Sequence, residues 1–244
     1  MSTKYKIHPA AETTEGDGVT VRRLFPIAGM RNHDPFVLWD HFRIVAGHGF
    51  PTHPHRGFEA ITYLFSGTME HTDNLGNQST IGAGGVQRFT AGRGMTHSEM
   101  PGNSDVTQGI QLWINLSQSQ KQIDPAYQAA EAGEIETEKW NGGWRRVIVG
   151  KGSPIELHTA VDYFELGLES GSRYQWTPTP EHCGLVYLVD GELDVNGNKL
   201  IPGEALQMNE AKPLDFSCEN DAHLMVCFGQ PHGEPIYQHG PYVD

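Results

Sequence analysis

A short β segment occurs twice in this chain, and the repeat leaves few folds open to it. T-Y-L-F-S-G at residues 62–67 matches V-Y-L-V-D-G at 186–191, and A-G-G-V-Q at 83–87 resembles P-G-E-A-L at 202–206. Each main copy is rich in β-branched and aromatic residues and ends at a glycine, which is typical of a strand followed by a turn. The chain therefore contains two copies of one antiparallel β unit.

The rest of the sequence favours the same fold class. The 29 glycines and 15 prolines are spread along the 244 residues, which indicates many turns between short strands. Asn196-Gly197 is a strong hairpin signal. We predict an all-β fold of two tandem jelly-roll barrels, over residues 1–120 and 141–244. A short helical connector is expected over 121–140, because D-P-A-Y-Q-A-A-E offers Asp124 as N-cap and proline at the first helical position.

Four side chains in the first copy form a candidate metal site. His53 and His55 lie in H-P-H-R-G, and His97 and Glu99 lie in T-H-S-E. Residues i and i+2 of a strand point to the same face, roughly 7 Å apart. A histidine alone is usually an ordinary surface or core side chain, but two such pairs on facing strands can converge on one ion. Imidazole and carboxylate ligands suit iron, manganese, copper, nickel or zinc.

The second copy does not carry the same set. Counting back from the matched glycines, His53 and His55 correspond to Thr177 and Thr179. His97 and Glu99 fall near Phe216 and Cys218, so the second barrel is predicted to be structural or to bind something else. In the first copy, Phe36, Leu38, Trp39 and Phe42 are predicted to pack in the core.

Glu59 competes with Glu99 as a ligand. H-x-H-x-x-x-E, ending at Glu59, resembles the first motif of the cupin superfamily, in which that glutamate is often a ligand. If the strand runs unbroken, Glu59 lies on the same face as His55, although Gly57 interrupts it. Otherwise Glu59 orients a histidine or Arg56 from outside the ligand set.

H-P-H-R-G-F-E-A-I-T-Y-L, followed by T-A-G-R-G-M-T-H-S-E-M-P, resembles the pirin family of bicupins. D-P-F, G-F-P and the late G-E-P-I-Y-Q-H-G-P-Y-V extend the likeness to nearly the whole chain. The resemblance implies one iron(II) ion held by His53, His55, His97 and Glu99, with zinc, manganese, nickel or copper as alternatives. Two departures are Ala83-Gly84-Gly85, where pirins commonly read P-G-D, and a chain that stops at G-P-Y-V-D where family members usually continue into a tail.

The resemblance also implies a reaction. Some pirins are similar in activity to quercetin 2,3-dioxygenases, so we expect a flavonol-like aromatic substrate, with Glu99 as general base for its 3-hydroxyl. Phe50 and Met95 are candidate pocket walls, although core packing explains them equally well. The main alternative is a redox-sensing regulator without turnover, whose partner is a transcription factor or a metabolic enzyme. A zinc hydrolase or isomerase, or a purely structural metal, are further alternatives.

Net charge and cysteine content argue against other classes of protein. The net charge of -13 argues against binding to nucleic acid, because phosphate contacts need clustered lysine and arginine. The sequence has neither an apolar run long enough to span a membrane nor a signal peptide, so we expect no membrane association. Cys183, Cys218 and Cys227 form no paired framework, which favours a reduced, cytoplasmic location.

Overall fold

A computed structural model of the chain describes residues 5–244, which form two compact units. The first unit consists of Ala11–Glu134 and His232–Asp244, and the second consists of residues 5–10 and Ile135–Pro231. Both are built almost entirely from strands. The helices of the described residues are two 3₁₀ turns, Gln118–Gln120 and Ala132–Glu134. No helix in residues 5–244 is long and apolar enough to cross a membrane.

The strands are numbered along the whole chain, so that β1 and β13–β22 belong to the second unit and the others to the first. The first-unit strands are β2 (Ala11–Glu15), β3 (Val19–Phe25), β4 (Phe36–Val45), β5 (Phe50–His55), β6 (Phe58–Ser66), β7 (Thr68–Asp73), β8 (Gln78–Gly82), β9 (Val86–Thr90), β10 (Met95–Pro101), β11 (Val106–Asn115), β12 (Ala126–Ala130), β23 (Gln238–His239) and β24 (Tyr242–Val243).

The second-unit strands are β1 (Tyr5–Pro9), β13 (Thr137–Trp140), β14 (Gly143–Val149), β15 (Val161–Leu168), β16 (Arg173–Trp176), β17 (Cys183–Gly191), β18 (Leu193–Val195), β19 (Asn198–Leu200), β20 (Glu204–Met208), β21 (Leu214–Ser217) and β22 (Ala222–Gly229).

Each unit contains a seven-stranded and a four-stranded antiparallel sheet with equivalent strand orders, except that the edge place taken by β12 in the first unit is taken by the N-terminal β1 in the second. In the first unit the orders are β12-β9-β6-β11-β4-β3-β2 and β5-β10-β7-β8. In the second they are β1-β20-β17-β22-β15-β14-β13 and β16-β21-β18-β19. The repeated segments, β6 and β17, occupy equivalent central positions, flanked by β9 and β11 in one unit and by β20 and β22 in the other. The prediction of two copies of one β barrel is therefore confirmed.

Apolar side chains fill the space between the two sheets of each unit. Phe42 and Leu64 belong to the core of the first unit, and Leu224 and Val226 to that of the second. Burying one such side chain contributes about 1.5–3 kcal/mol. The predicted core residues Phe36, Leu38, Trp39 and Phe42 are all buried.

The predicted helix in the connector is wrong. Ala126–Ala130 is the strand β12, which pairs with β9 from Ala126 opposite Thr90 to Ala130 opposite Val86. Pairing with an open sheet edge outweighs the local helix signal of Asp124-Pro125. The two units exchange ends, because β1 pairs with β20 in the second unit while His232–Asp244 belongs to the first.

Candidate metal centre

Two paired strands of the first unit carry the predicted ligands. In the antiparallel pair β5 and β10, His97 lies opposite His53 and Met95 lies opposite His55. The register shifts between His97 and Glu99, so that Glu99 faces Phe50. Along β10 the residues Met95, His97 and Glu99 are buried and the two between them are partly exposed, as a period of two requires. The local pattern thus turns both predicted ligands of β10 inward.

The three histidines converge. One ring nitrogen from each of His53, His55 and His97 lies within 4.8 Å of the other two. The ring centroids are 4.5 Å apart for His53 and His55, 4.6 Å for His53 and His97, and 4.9 Å for His55 and His97. No other group of three or more such donors converges in the part of the chain that the structure describes.

Hydrogen bonds determine which nitrogen is free on two of these rings. His53 donates from Nδ1 to the carbonyl of Pro51 at 2.7 Å, and His55 donates from Nδ1 to the carbonyl of Pro241 at 3.3 Å. Because a carbonyl oxygen only accepts, both Nδ1 atoms carry the proton and both Nε2 atoms keep a lone pair. On His97, Nε2 lies 3.2 Å from Nε2 of His53, and the buried Nδ1 has no hydrogen-bond partner among the described residues.

Burial favours the neutral form of His55 and His97. Desolvation lowers the pKa of His55 to about 3, and the neighbouring His97 and His53 add to that effect. Desolvation also lowers the pKa of His97 well below its ordinary value, with His53 and His71 as further causes. The ring of His55 stacks on Phe89 at 5.3 Å between centroids and meets Trp113 edge-on at 5.0 Å. Neutral, oriented imidazoles are the form that binds a metal ion.

Glu99 is buried beside this cluster in a network of neutral donors. Its Oε1 accepts hydrogen bonds from Thr62 Oγ1 at 2.8 Å and Gln87 Nε2 at 2.5 Å, and its Oε2 accepts one from Gln111 Nε2 at 2.7 Å. The two amides are oriented in turn, since Tyr127 donates to Gln87 at 3.1 Å and Trp113 donates to Gln111 at 3.0 Å. A carboxylate offers about four lone pairs, so one on Oε2 remains for a metal ion or a proton.

The two glutamates differ from the histidines in position. Neither Glu99 nor Glu59 belongs to the group of converging donors, so ligation by Glu99 stays a prediction. Glu59 is buried on β6 and accepts a hydrogen bond from Thr90 Oγ1 at 2.8 Å. Arg56, the other group that Glu59 was expected to orient, pairs with Asp244.

Sequence reasoning missed the donors that hold Glu99. Gln87 and Gln111 stand in the strand segments G-V-Q-R-F and I-Q-L-W-I-N-L, where a glutamine amid apolar residues was the available signal. A second buried pair was also missed, in which His71 Nε2 lies 3.1 Å from Asp73 Oδ2 and the ring of His71 is 5.3 Å from that of His97. Residues i and i+2 again share a face here.

A cavity of about 560 Å³ lies against the histidines. His53, His55 and Gln111 reach its wall, and Phe50 and Trp113 give it an aromatic side. The position of Phe50 agrees with its predicted role, whereas Met95 packs in the core. The volume is typical of small-molecule sites. Three converging imidazoles beside a buried carboxylate with a spare lone pair fit a divalent metal ion, which they would hold next to this cavity.

Both halves of the chain match families of known proteins. The Pirin family model matches residues 18–114, and the Pirin C-terminal cupin domain model matches residues 163–244. A pirin-like protein of Solanum lycopersicum is 37% identical over 252 aligned positions, which cover 96% of this chain and 84% of the relative. The structure of quercetin 2,3-dioxygenase from Acinetobacter baumannii superposes with a TM-score of 0.90 at 28% identity, over 98% of this chain and 90% of that one.

A structure of the bacterial pirin YhhW from Escherichia coli in complex with nickel(II) has the same fold. Its TM-score is 0.76 at 22% identity, over 93% of this chain and 99% of that one.

Proposed function

The chain belongs to the pirin family, and on that premise we propose that it is a metal-dependent dioxygenase that cleaves flavonols of the quercetin type. The observation that carries the proposal is the convergence of His53, His55 and His97, of which His53 and His55 line a cavity of small-molecule size. The likeness to a structure named quercetin 2,3-dioxygenase, at 28% identity, supports the choice of reaction.

The residues that would hold the metal are the three histidines, through the nitrogens that converge, and Glu99 through Oε2. Iron(II) is proposed, because two or three imidazoles with one carboxylate are a common ligand set of non-haem iron oxygenases. When bound, the ion supplies a Lewis acid and a redox partner for dioxygen. The protein supplies the positions of the reacting groups.

Glu99 is proposed to take the proton of the flavonol 3-hydroxyl on Oε2. Since one lone pair cannot hold both, Glu99 would be a metal ligand only until it accepts that proton. Thr62, Gln87 and Gln111 donate hydrogen bonds to the carboxylate of Glu99. The only unused lone pair is therefore on Oε2, the oxygen that accepts the hydrogen bond from Gln111. Gln111 lines the cavity, so Oε2 of Glu99 is separated from the cavity by the Gln111 side chain. A base that is already fixed in place loses little entropy when the proton is transferred.

The cavity walls suit a flat aromatic molecule. Phe50, Trp113 and Leu38 provide apolar surface against which aromatic rings can stack. Arg23 also lines the cavity, but its guanidinium is committed to Asp40, at 2.9 and 2.6 Å, and to Glu15 at 2.7 Å. The aromatic wall therefore favours a flat ring system, while Arg31, which also lines the cavity, leaves a positive group there.

The proposed base is tested by a matched pair of substitutions. Glu99→Gln should lower quercetin turnover by about 100-fold or more, the range expected for loss of a general base, while the chain keeps its metal. Glu59→Gln makes the same change in the other buried glutamate and should leave turnover within about threefold of wild type. Equal turnover in wild type and Glu99→Gln would overturn the assignment. A large loss in Glu59→Gln alone would transfer the role to Glu59.

A further inference from the structure

The metal centre of the first unit uses a segment that follows the whole second unit in sequence. This return segment, His232–Asp244, belongs to the first unit and ends in a hairpin of β23 and β24. Gly240, with a φ of +57°, makes the tight turn between them. Gln238, Gly240 and Pro241 line the cavity beside His53 and His55. One wall of the cavity therefore comes from residues far along the chain from the ligands.

The return segment touches a predicted ligand directly. The carbonyl of Pro241 accepts the hydrogen bond from Nδ1 of His55 at 3.3 Å. His53 obtains the corresponding bond locally, from the carbonyl two residues before it. On His97 the buried Nδ1 has no partner in the described part of the chain. Of the three imidazoles, His55 is the one whose tautomer and ring orientation depend on a remote segment.

Arg56 binds the return segment next to His55. Its guanidinium donates two hydrogen bonds to the carboxylate of Asp244, from Nε at 3.0 Å and from Nη2 at 2.9 Å. It also lies over the ring of Tyr242, 4.7 Å from the centroid. The backbone carbonyl of Arg56 accepts a hydrogen bond from the amide of Val243 at 3.0 Å. The residue that follows the ligand in sequence thus holds both ends of β24.

Lys121 and Gly57 add to the attachment. The ammonium of Lys121 is buried and donates to the carbonyls of Val243 and Gly57, each at 2.8 Å, and to Asn115 Oδ1 at 2.5 Å. Gly57 has a φ of +86°, and a Cβ added there would lie 1.8 Å from the carbonyl oxygen of Val243. Only glycine allows this close approach, so the chain at Gly57 is shaped to receive the return segment.

We propose that the return segment is a positioning element of the metal site. Anchored by Arg56 and Lys121, it presents the Pro241 carbonyl that fixes the tautomer and orientation of His55. Metal retention then depends on contacts that touch neither the metal nor the substrate. The inference rests on the proposed metal binding by His55, and it adds that the first unit holds its ion fully only with the return segment in place.

The test measures cobalt(II) binding to the full-length chain, because the visible spectrum of cobalt(II) responds to ligand geometry. Arg56→Gln and Asp244→Asn should each weaken cobalt binding by about two- to fivefold, the range expected for an exposed ion pair. Lys121→Met, which removes a buried anchor, should weaken it by about tenfold, at the low end for an outer partner of a ligand. All three should shift the cobalt spectrum.

Two controls separate positioning from general stability. Asp124→Asn breaks the exposed pair between Arg93 and Asp124, at 2.8 Å in the same unit, and should change neither affinity nor spectrum. The exchange Arg56→Asp with Asp244→Arg should recover part of the lost affinity, because it restores the ion pair but not the contact with the ring of Tyr242. Unchanged binding and spectrum in Asp244→Asn and Lys121→Met would overturn the inference, as would an exchange that restores nothing. A wild-type chain that binds no cobalt would refute the proposed metal site itself. Variants that bind cobalt as tightly as a metal-binding wild type would refute only the positioning role of the return segment.

Discussion

The metal-free protein should lose stability in acid through one buried imidazole. In the folded chain, burial and the adjacent His97 and His53 lower the pKa of His55 to about 3. In the unfolded chain a histidine binds its proton near pH 6.5. Between these values the unfolded state carries a proton that the folded state excludes. Stability therefore rises with pH across this window and is lost as the pH falls below about 6.5.

The size of the stability loss follows from the shift in the pKa of His55. Each pH unit inside the window changes the free energy of unfolding by about 1.4 kcal/mol for one proton. Lowering the pH from 6.5 to 5 should thus remove about 1.6 kcal/mol through His55 alone, because the unfolded imidazole is already half protonated at pH 6.5. Because such a domain is typically stable by only about 5–15 kcal/mol, the loss is measurable. Bound metal should suppress it, since a ligand that binds only the folded state opposes protonation.

Guanidinium unfolding of the chelator-treated protein at pH 6.5 and 5 measures this loss. His55→Asn is the matched variant, because an amide in place of Nδ1 can still donate to the Pro241 carbonyl but does not titrate. The pH-dependent loss should be about 1.6 kcal/mol larger in wild type than in the variant, which shares the other titrating groups. Equal losses in the two proteins would refute the claim that His55 is held neutral by burial.

Three further outcomes are expected. Gln111→Leu removes a donor to Glu99 Oε2 and should lower quercetin turnover by about tenfold or more, as measured by steady-state kinetics, because a hydrogen bond to a charged group is worth about 1.5–3 kcal/mol. Leu64→Ala, in the core of the first unit, should cost about 2–5 kcal/mol in guanidinium unfolding, and a cost below about 1 kcal/mol would contradict the packing described here. Metal at about 100 times its dissociation constant should stabilise wild type by about 2.7 kcal/mol in thermal unfolding, and His97→Ala should abolish that gain.

Local sequence patterns predicted the barrels and the imidazole cluster well. The glycine-terminated segments that repeat became β6 and β17, at equivalent positions in equivalent sheets. The i, i+2 spacing of His53 and His55 brought both onto β5, where pairing with β10 added His97. These features depend on alternation along a strand, which a sequence displays directly.

Contacts between distant segments were not predictable in the same way. Residues 126–130 carry a good helix start, yet Tyr127 stacks on His71 at 4.1 Å and donates to Gln87, which requires a strand beside β9. The Pro241 carbonyl reaches His55 across 186 positions, and no local pattern marks a backbone oxygen as a partner. The donors around Glu99 come from three strands, so their convergence depends on the assembled sheets.

The central claim is tested most directly by quercetin turnover in air with the iron-loaded chain. The protein should retain about one iron per chain and release carbon monoxide equimolar with the quercetin consumed, and His97→Ala should lose both. Full iron occupancy with no carbon monoxide would contradict the dioxygenase assignment and favour a metal-binding regulator.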